Sequence, residues 1–428
     1  MLVLKFGGTS LANAERVRNA HQIVKQRGGK NPVVVCSAVS GITNKLIALS
    51  SEGSVEEIIP IHDKIISELG LPVGLLLPLY QELRAAVERL RKEQSKESLD
   101  VVQSFGERFS VRIMEAYFKS QGEQAKAYDA FDVGMLTDDR FGAANPLKEH
   151  ADQIKKHLNR LDHIAIVTGY IGKTKDGRVT TLSRGGSDFT ASLIGAALDA
   201  EEIQIWTDVN GMLSTDPKVV PSAKTIDSIS FQEAAELATF GAKVMHPKSI
   251  QPALDKNIPV RVLNTYNPSN TGTIIVAESR EKGRIKGIAA RKGVTLVNVR
   301  STRMLEANGY LAKLFDIFAR HHKSVDLIAT SEVSVSLTVD SDEGLDRIIK
   351  DLNQIANVRA ERNKAIVCVV GEGIREDVTL PGKVFSLIST KGIPVDMISV
   401  GASLINVSFV VDEAEADAAV RVLHEALI

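Results

Sequence analysis

The chain opens with short apolar runs separated by stretches of helical spacing. LVLKF at 2–6 is followed by GGTS, by an amphipathic run with Val17, Ala20, Ile23 and Val24, by PVVVCSA, and by GITNKLIAL. Strand, glycine turn, helix, strand, loop, helix is a βαβα start, which predicts a parallel sheet with helices on both faces. From 55 to 125 strand-like runs stop. The spacing of Leu83, Val87 and Leu90, and of Phe105, Phe109, Ile113 and Tyr117, predicts a helical excursion interrupted at RKEQSKES. Sheet signals return at IAIVTGYIG (164–172), and KDG before RVTTL predicts a hairpin turn. SDFTASLIGAALDA then reads as a helix, IQIWTDV as a buried strand, 231–240 as a helix, and PVRVLN and GTIIV as a closing strand pair. The first domain is expected over 1–280, with the charged EKGRIKG stretch as a connector.

Beyond 285 the pattern changes to short strands and paired helices. GIAAR and VTLVNV are followed by a helix over 309–321, SVDLIA, VSVSLTV, a helix over 342–355, NVRAE, AIVCVV, a helix over 381–391, PVDMISV, INVSFVV and a helix over 412–427. GYLAKLFDIFARHHKSVDLIATSEVSVSLTV and PGKVFSLISTKGIPVDMISVGASLINVSFVV share the order helix, (K/I)xVD, strand, strand. This is an internal duplication of a β-α-β-β-α-β unit, so two ferredoxin-like domains are expected. The second copy lacks a closing strand and the first has a spare one in front. The economical arrangement places the first copy (302–362) inside the second (285–301 plus 363–428), with 285–291 supplying the missing strand.

A chain of 428 residues, 44% apolar and 25% charged, is long enough for more than one core. Lys and Arg number 52 and Asp and Glu 53, so the overall charge points to neither nucleic acid nor an anionic membrane, leaving a small-molecule partner as the default. Met1 leads directly into LVLKFGG, without the basic and apolar regions of a signal peptide. LPVGLLLPL at 71–79 is about half the ~20 residues of a membrane span. Cys36 and Cys368 lie in apolar runs and read as buried thiols of a reducing compartment, so a cytoplasmic setting is expected.

Candidate chemistry gathers at glycine turns and strand ends. KFGGTS sets Lys5 at the end of the first strand, followed by Gly7 and Gly8 and by Thr9 and Ser10 as helix caps. Backbone N–H groups at a helix start together with a lysine make a phosphate site, although such a turn also has a purely structural reading, and no GxxxxGK[ST] occurs. SRGGSD adds Arg184, suited to a bidentate carboxylate clamp, with Ser187 and Asp188 at a helix start. Capping accounts for the last two but not for the Arg-Gly-Gly before them. WTDVNGMLSTDP carries Thr207, Asp208 and Asp216 and reads equally well as a turn; GAKVMHPKS carries Lys243, and FGERF carries Glu107 between two aromatics. Lysines, an arginine and acids, without a nucleophilic triad or a metal cluster, suit phosphoryl transfer, which asks mainly for position and positive charge.

KFGGTS, SAVSGITN, FGE, GRVTTLSRGGSD, TDVNG, TDPK and GAKVMHP occur in an order and spacing that resemble the aspartokinase family over nearly the whole chain. The resemblance implies an α/β, amino-acid-kinase-type three-layer sandwich with a mainly parallel sheet, followed by two ferredoxin-like α+β ACT domains. It implies ATP-dependent phosphorylation of the side-chain carboxylate of L-aspartate, the first step of lysine, threonine and methionine biosynthesis, with magnesium carried by the nucleotide and no protein metal ligand. It assigns Lys5 and Lys243 to the ATP phosphates, Gly7 and Gly8 to the loop beneath them, and Asp188 to organising the charged centre. Arg184 and Glu107 would hold aspartate, with Ser37, Thr43 and Ser187 nearby, and Thr207, Asp208, Asp216 and Lys218 would border the nucleotide.

The C-terminal part resembles the lysine-sensitive monofunctional type. The implied effector pocket comprises Met304, Gly309, Tyr310, Leu311, Ser324, Val325 and Asp326, with Thr330, Ser331 and Glu332 beside it. Lysine is the expected effector, threonine its rival, and a homodimer through the ACT domains the expected assembly. Two other readings stay open: a kinase acting on acetylglutamate or glutamate, and a non-catalytic amino-acid sensor with a retired kinase domain.

Overall fold

The structure is a computed structural model that describes residues 1–27, 31–183, 185–241, 245–278, 283–304, 308–372, 374, 377–400 and 405–428. It divides into two compact units, one of Met1–Met212, Thr225–Phe231 and Val244–Glu278, the other of Leu213–Lys224, Gln232–Lys243 and Ser279–Ile428.

The first unit is built on an eight-stranded sheet of β1 (Leu2–Phe6), β2 (Val33–Cys36), β3 (Ala125–Tyr128), β4 (Ile164–Thr168), β7 (Glu202–Thr207), β8 (Ser228–Ser230), β9 (Val260–Asn264) and β10 (Thr273–Val276). The order is β3-β4-β2-β1-β7-β9-β10-β8, and only the β9–β10 pair is antiparallel. A separate hairpin joins β5 (Ile171–Lys173) to β6 (Val179–Thr181), where KDG predicted it. The apolar runs of β1, interrupted only by Lys5, and of β2 make sense at the sheet centre, where both faces are covered. Leu4, Phe6, Val34 and Cys36 face a core built with α1 (Ala14–Arg27), α2 (Ile42–Ala48), α3 (Ile59–Glu68), α4 (Leu77–Glu93) and α5 (Lys96–Ser120). Strand alternation turns Lys5 to the other face, where α7 (Gly186–Ala197) packs across β1. The shorter helices α6 (His150–Leu158) and α9 (Gln251–Asp255) lie against α7.

The interruption expected at RKEQSKES falls at Gln94, in left-handed backbone with φ 47°, and the Ser95 side chain caps α5 by accepting from the Ser98 N–H. α5 then runs 25 residues and is buried on nearly every side, with Phe105, Phe109, Tyr117 and Phe118 among its buried residues. Because β1, β2, β4 and β7 are parallel, their C-terminal ends open at one edge and deliver Gly7, Ser37, Gly169 and Asp208 there.

The second unit carries a six-stranded antiparallel sheet of β11 (Gly287–Arg300), β12 (Ile328–Thr330), β13 (Ser334–Val339), β14 (Asn357–Val370), β15 (Met397–Ser399) and β16 (Asn406–Asp412), ordered β12-β13-β11-β14-β16-β15. GIAAR and VTLVNV, expected as two strands, form the single strand β11, and NVRAE and AIVCVV form β14. The register slips after Lys292, where Gly293 takes φ 73° and Asn363 on the facing strand takes φ 55°, so the intervening polar residues make a bulge rather than a turn. The first half of β11 pairs with the second half of β14, which pairs on its other side with β16. The second half of β11 pairs with β13 and with the first half of β14. Each half has its own apolar cluster: Leu314, Ile317, Phe318 of α10 (Tyr310–Arg320) and Ile348 of α11 (Leu345–Leu352) in one, Val384 of α12 (Leu380–Thr390) and Val420 of α13 (Ala416–Leu427) in the other.

The expected 1–280 domain does not coincide with the first unit. Val219 and Val220 join the apolar cluster of α12 and α13, Ser214 Oγ lies 2.9 Å from His424 Nε2, and Glu236, on α8 (Phe231–Thr239), accepts from Asn406 Nδ2 at 2.7 Å. Among the described residues no helix is long and apolar enough to cross a membrane.

Candidate active site

Lys5 is 8% exposed, and its Nζ stands 2.5 Å from Asp188 Oδ1 in the first turn of α7. A Cβ on Gly7 would lie 3.6 Å from that ammonium, and one on Gly8 would lie 2.7 Å from the Ala38 carbonyl oxygen. Gly8 therefore lets the 37–40 loop close over the turn, whereas a side chain at Gly7 would make only ordinary contacts. The Gly7 N–H donates to the Trp206 carbonyl at 3.0 Å, so that group of the turn serves the sheet rather than a phosphate. The Ser37 N–H donates to the Phe6 carbonyl at 3.1 Å, which joins the ends of β1 and β2.

Glu107 reaches this edge from the middle of α5. It is 3% exposed; Oε1 accepts from the Ala38 N–H at 3.1 Å, and Oε2 is buried without a hydrogen-bond partner among the described residues. Burial pushes its carboxyl up to about 8, against the pull of the Ala38 N–H and the Lys5 charge. A Cβ on the adjacent Gly106 would come within 2.7 Å of Ala38 Cβ, so glycine is what lets α5 approach that loop. Thr43 lies half-buried on α2. Ser187 and Asp188 follow Gly185, the helix cap at φ 76°, and each is 9% exposed. Negative charge at that helix start is favoured by the backbone dipoles.

Lys5, Gly7, Gly8, Ser37, Glu107, Ser187 and Asp188 are thus brought to one edge by parallel strands and two helices. Thr207, its Oγ1 3.2 Å from Asp208 Oδ1, ends β7 at that edge. Asp216 and Lys218 fall in the second unit, where Asp216 Oδ1 accepts from the Lys218 N–H at 2.8 Å in a local turn. Arg184 and Lys243 lie outside the described residues. No group of three or more His, Cys, Asp or Glu side chains placed to hold a metal ion occurs among the described residues.

The effector residues gather at the first repeat. Gly309 caps α10 at φ 80°, ahead of Tyr310 and the exposed Leu311; Met304 ends a short turn before it, and Ser324 and Val325 follow the helix. Thr330 ends the edge strand β12, and Ser331 Oγ lies 2.7 Å from Ser334 Oγ around the turn that holds Glu332. A cavity of about 470 Å³ lined by Arg300, Ser301, Thr302, Val333 and Ser334 opens beside that turn. Asp326 donates its N–H to the Thr338 carbonyl at 3.0 Å and its Oδ1 meets Arg291 Nη1 at 3.2 Å, while Oδ2 is buried without a hydrogen bond among the described residues. Burial raises its carboxyl above the usual range, against Arg291.

The second repeat holds a matching cluster that sequence reasoning passed over. Lys364 Nζ lies 2.7 Å from Asp396, 2.7 Å from Asp412 and 3.4 Å from Glu361. The shared VD of the two repeats was the available signal, since Asp396 stands where Asp326 does and donates its N–H to Val410 just as Asp326 donates to Thr338.

Residues 1–264 match the amino acid kinase family and 367–427 match an ACT domain. Aspartokinase 1, chloroplastic, of Arabidopsis thaliana is 39% identical over 99% of this chain and 79% of its own length. The chain belongs to the aspartokinase family. Among solved aspartokinases, the E. coli aspartokinase III complex with aspartate and ADP is 35% identical, with a TM-score of 0.85 over 100% of this chain and 99% of that one. The same aspartokinase with lysine and aspartate is 36% identical, with a TM-score of 0.83 over 100% and 99%.

Proposed function

We propose that the chain transfers the γ-phosphoryl group of ATP to the side-chain carboxylate of L-aspartate and is restrained by an amino acid, lysine, at its C-terminal repeats. The observation that carries the catalytic part is the buried Lys5–Asp188 pair facing Glu107 at the open edge of a parallel sheet. A carboxylate acceptor is already an anion at neutral pH. One of its oxygens bonds to the γ-phosphorus, the bond from that phosphorus to the β,γ-bridging oxygen breaks, and ADP leaves with the electron pair. No proton has to be removed first, so the site needs charge and alignment rather than a general base.

In this reading Lys5 and Lys243 neutralise the phosphates over Gly7 and Gly8, and Asp188 holds the Lys5 ammonium in place. Arg184 grips a substrate carboxylate. Glu107, whose Oε2 has no hydrogen-bond partner among the described residues, receives the ammonium, with Ser37, Thr43 and Ser187 beside it. Thr207 and Asp208, with Asp216 and Lys218, border the nucleotide. Magnesium arrives as part of that substrate, bound to its phosphates. The E. coli relative solved with aspartate and ADP supports aspartate and a nucleotide as the ligands.

For regulation, the 302–362 repeat takes lysine between the start of α10 and Asp326, and 285–301 plus 363–428 complete the second ACT domain. The relative solved with lysine and aspartate supports lysine as the effector. A homodimer forms through the edge strands, whose Ile328 and Ile398 are 41% and 47% exposed. The setting is cytoplasmic, where two buried thiols stay reduced.

The deciding experiment follows ADP release with aspartate, glutamate, acetylglutamate and no acceptor, with and without lysine. Aspartate-dependent release restrained by lysine is expected. Release with another acceptor alone overturns the substrate, and none with any acceptor favours a sensor.

A further inference from the structure

Asp100, Gln103 and Glu107 lie on one face of α5, at i, i+3 and i+7, and are 1%, 7% and 3% exposed. Each holds a different segment of the first unit. Asp100 Oδ2 accepts from the N–H groups of Gly142 and Thr181, both at 2.9 Å, and Oδ1 accepts from Thr181 Oγ1 at 2.7 Å. Gln103 Oε1 accepts from the Tyr170 hydroxyl at 2.8 Å. Glu107 Oε1 accepts from the Ala38 N–H.

Tyr170 links that face to α7. Its φ of 67° is costly for a bulky residue and persists only where the surroundings impose it. Its N–H donates to Thr190 Oγ1 at 3.0 Å, whose hydroxyl donates to the Gly186 carbonyl at 2.9 Å. Its carbonyl accepts from the Leu182 N–H at 2.8 Å. A Cβ on Gly186 would come within 2.5 Å of the Tyr170 ring, and one on Gly169 within 2.5 Å of Ser187 Oγ. The first turn of α7, with Ser187 and Asp188, therefore rests on Tyr170, and Tyr170 is hung from Gln103.

We propose that this face of α5 acts as a ruler, with Asp100, Gln103 and Tyr170 as positioning residues. They fix the end of β6 and the first turn of α7 at a set distance from Glu107, so that the acceptor pocket takes a four-carbon amino dicarboxylate and rejects its five-carbon homologue. The inference rests on the reading of aspartate as acceptor and of Glu107 as the group that meets its ammonium. A helix suits the purpose because its rise is fixed at about 1.5 Å per residue. Burial keeps the Tyr170 phenol protonated, hence a donor, at every pH where the enzyme would work. None of the three residues touches substrate in this reading, so their effect on acceptor choice passes through the two elements they hold.

The test measures kcat/KM for aspartate and for glutamate, and KM for ATP, in Tyr170→Phe, Gln103→Leu, Asp100→Leu and Asp100→Asn. A buried hydrogen bond lost at this distance from the chemistry should raise the aspartate KM about tenfold and lower the aspartate-to-glutamate ratio about tenfold. The KM for ATP should stay within about twofold of wild type. Asp100→Asn keeps an oxygen for the two N–H donors and an amide for the Thr181 hydroxyl, so it should restore the selectivity that Asp100→Leu loses. Should Asp100→Leu fail to fold, Tyr170→Phe, which deletes one oxygen, decides alone. A wild-type chain selective for aspartate with equally selective variants, or variants whose ATP and aspartate constants rise together, overturns the ruler. A wild-type chain that does not use aspartate overturns the acceptor reading, and the ruler with it.

Discussion

The two C-terminal repeats present the same device in two states. In each, an aspartate of the VD pair ties its own N–H to the neighbouring strand, and a second aspartate lies two residues beyond the carbonyl it meets: Asp326 and Asp340 in the first repeat, Asp396 and Asp412 in the second. A cation from the central strands fills each clasp, Arg291 in the first and Lys364 in the second. The second clasp is saturated, with Lys364 8% exposed in its side chain and three carboxylates around one ammonium. In the first, Arg291 takes one oxygen of Asp326 and leaves the other buried without a hydrogen bond among the described residues. Buried oxygens are rarely left so. The saturated clasp reads as a strut and the open one as a place kept for an incoming donor. Glu107 in the catalytic unit has the same signature, one oxygen held by Ala38 and one without a hydrogen-bond partner among the described residues.

The largest expected effect lies on the catalytic side. Lys5→Ala should lower turnover at least ~100-fold, since a charge contact to a transferring phosphoryl group is worth about 3 kcal/mol, with the fold intact by circular dichroism. Near-normal turnover would remove Lys5 from the phosphates.

Between the clasps, Asp326→Ala should abolish restraint by lysine, a coupling of about 1–3 kcal/mol, while uninhibited turnover stays close to wild type. Lysine titration of initial rates checks it, and an Asp326→Ala chain still fully inhibited would mean that the open clasp is not the sensor.

Lys364→Met should do the reverse. It leaves catalysis and lysine sensitivity unchanged but costs about 1–2 kcal/mol of stability, because it strands carboxylates of which Asp412 is 58% exposed and partly screened. Denaturant unfolding measures it, and a loss of lysine sensitivity instead would make both clasps sensory.

The smallest effect is a proton. With the Glu107 carboxyl raised to about 8, the native chain holds a proton that the unfolded chain has lost above the ordinary carboxyl range. Its penalty is absent below about pH 4, grows as pH rises, and is complete above about 8, so stability falls through that window. Aspartate binding near pH 7 should then release up to about one proton, as its ammonium turns Glu107 into a carboxylate. Calorimetry in buffers of different ionisation enthalpy detects it, and a release undiminished in Glu107→Gln would point to another group.

The sheet of the first unit was legible because buried parallel strands write themselves as apolar runs, and the break at Gln94 because polar residues crowd it. What was not legible depends on partners far apart in sequence. Nothing in KG at 292–293 separates a bulge from a turn until β14 lies opposite. Likewise nothing in 213–224 announces that Val219 and Val220 pack with α12 and α13. In the site, the glycine turns and Lys5 announced themselves, whereas Glu107 showed only a place between two aromatics and was assigned a role by resemblance. Its burial comes from Gly106 letting α5 close on Ala38, a contact 69 residues away in the chain. Gln103 and Tyr170 carried no motif at all.

The two cysteines divide evenly, Cys36 in the first unit and Cys368 in the second. Both are fully buried, and burial pushes both thiols far above their ordinary range. An alkylating reagent finds no thiolate in the native chain and reacts only when a strand at the centre of one sheet is exposed. The molecule thus carries one internal clock per unit: the rate at which each sulfur becomes modifiable reports the opening of its own sheet, and a peptide map after timed labelling reads the two rates from one sample.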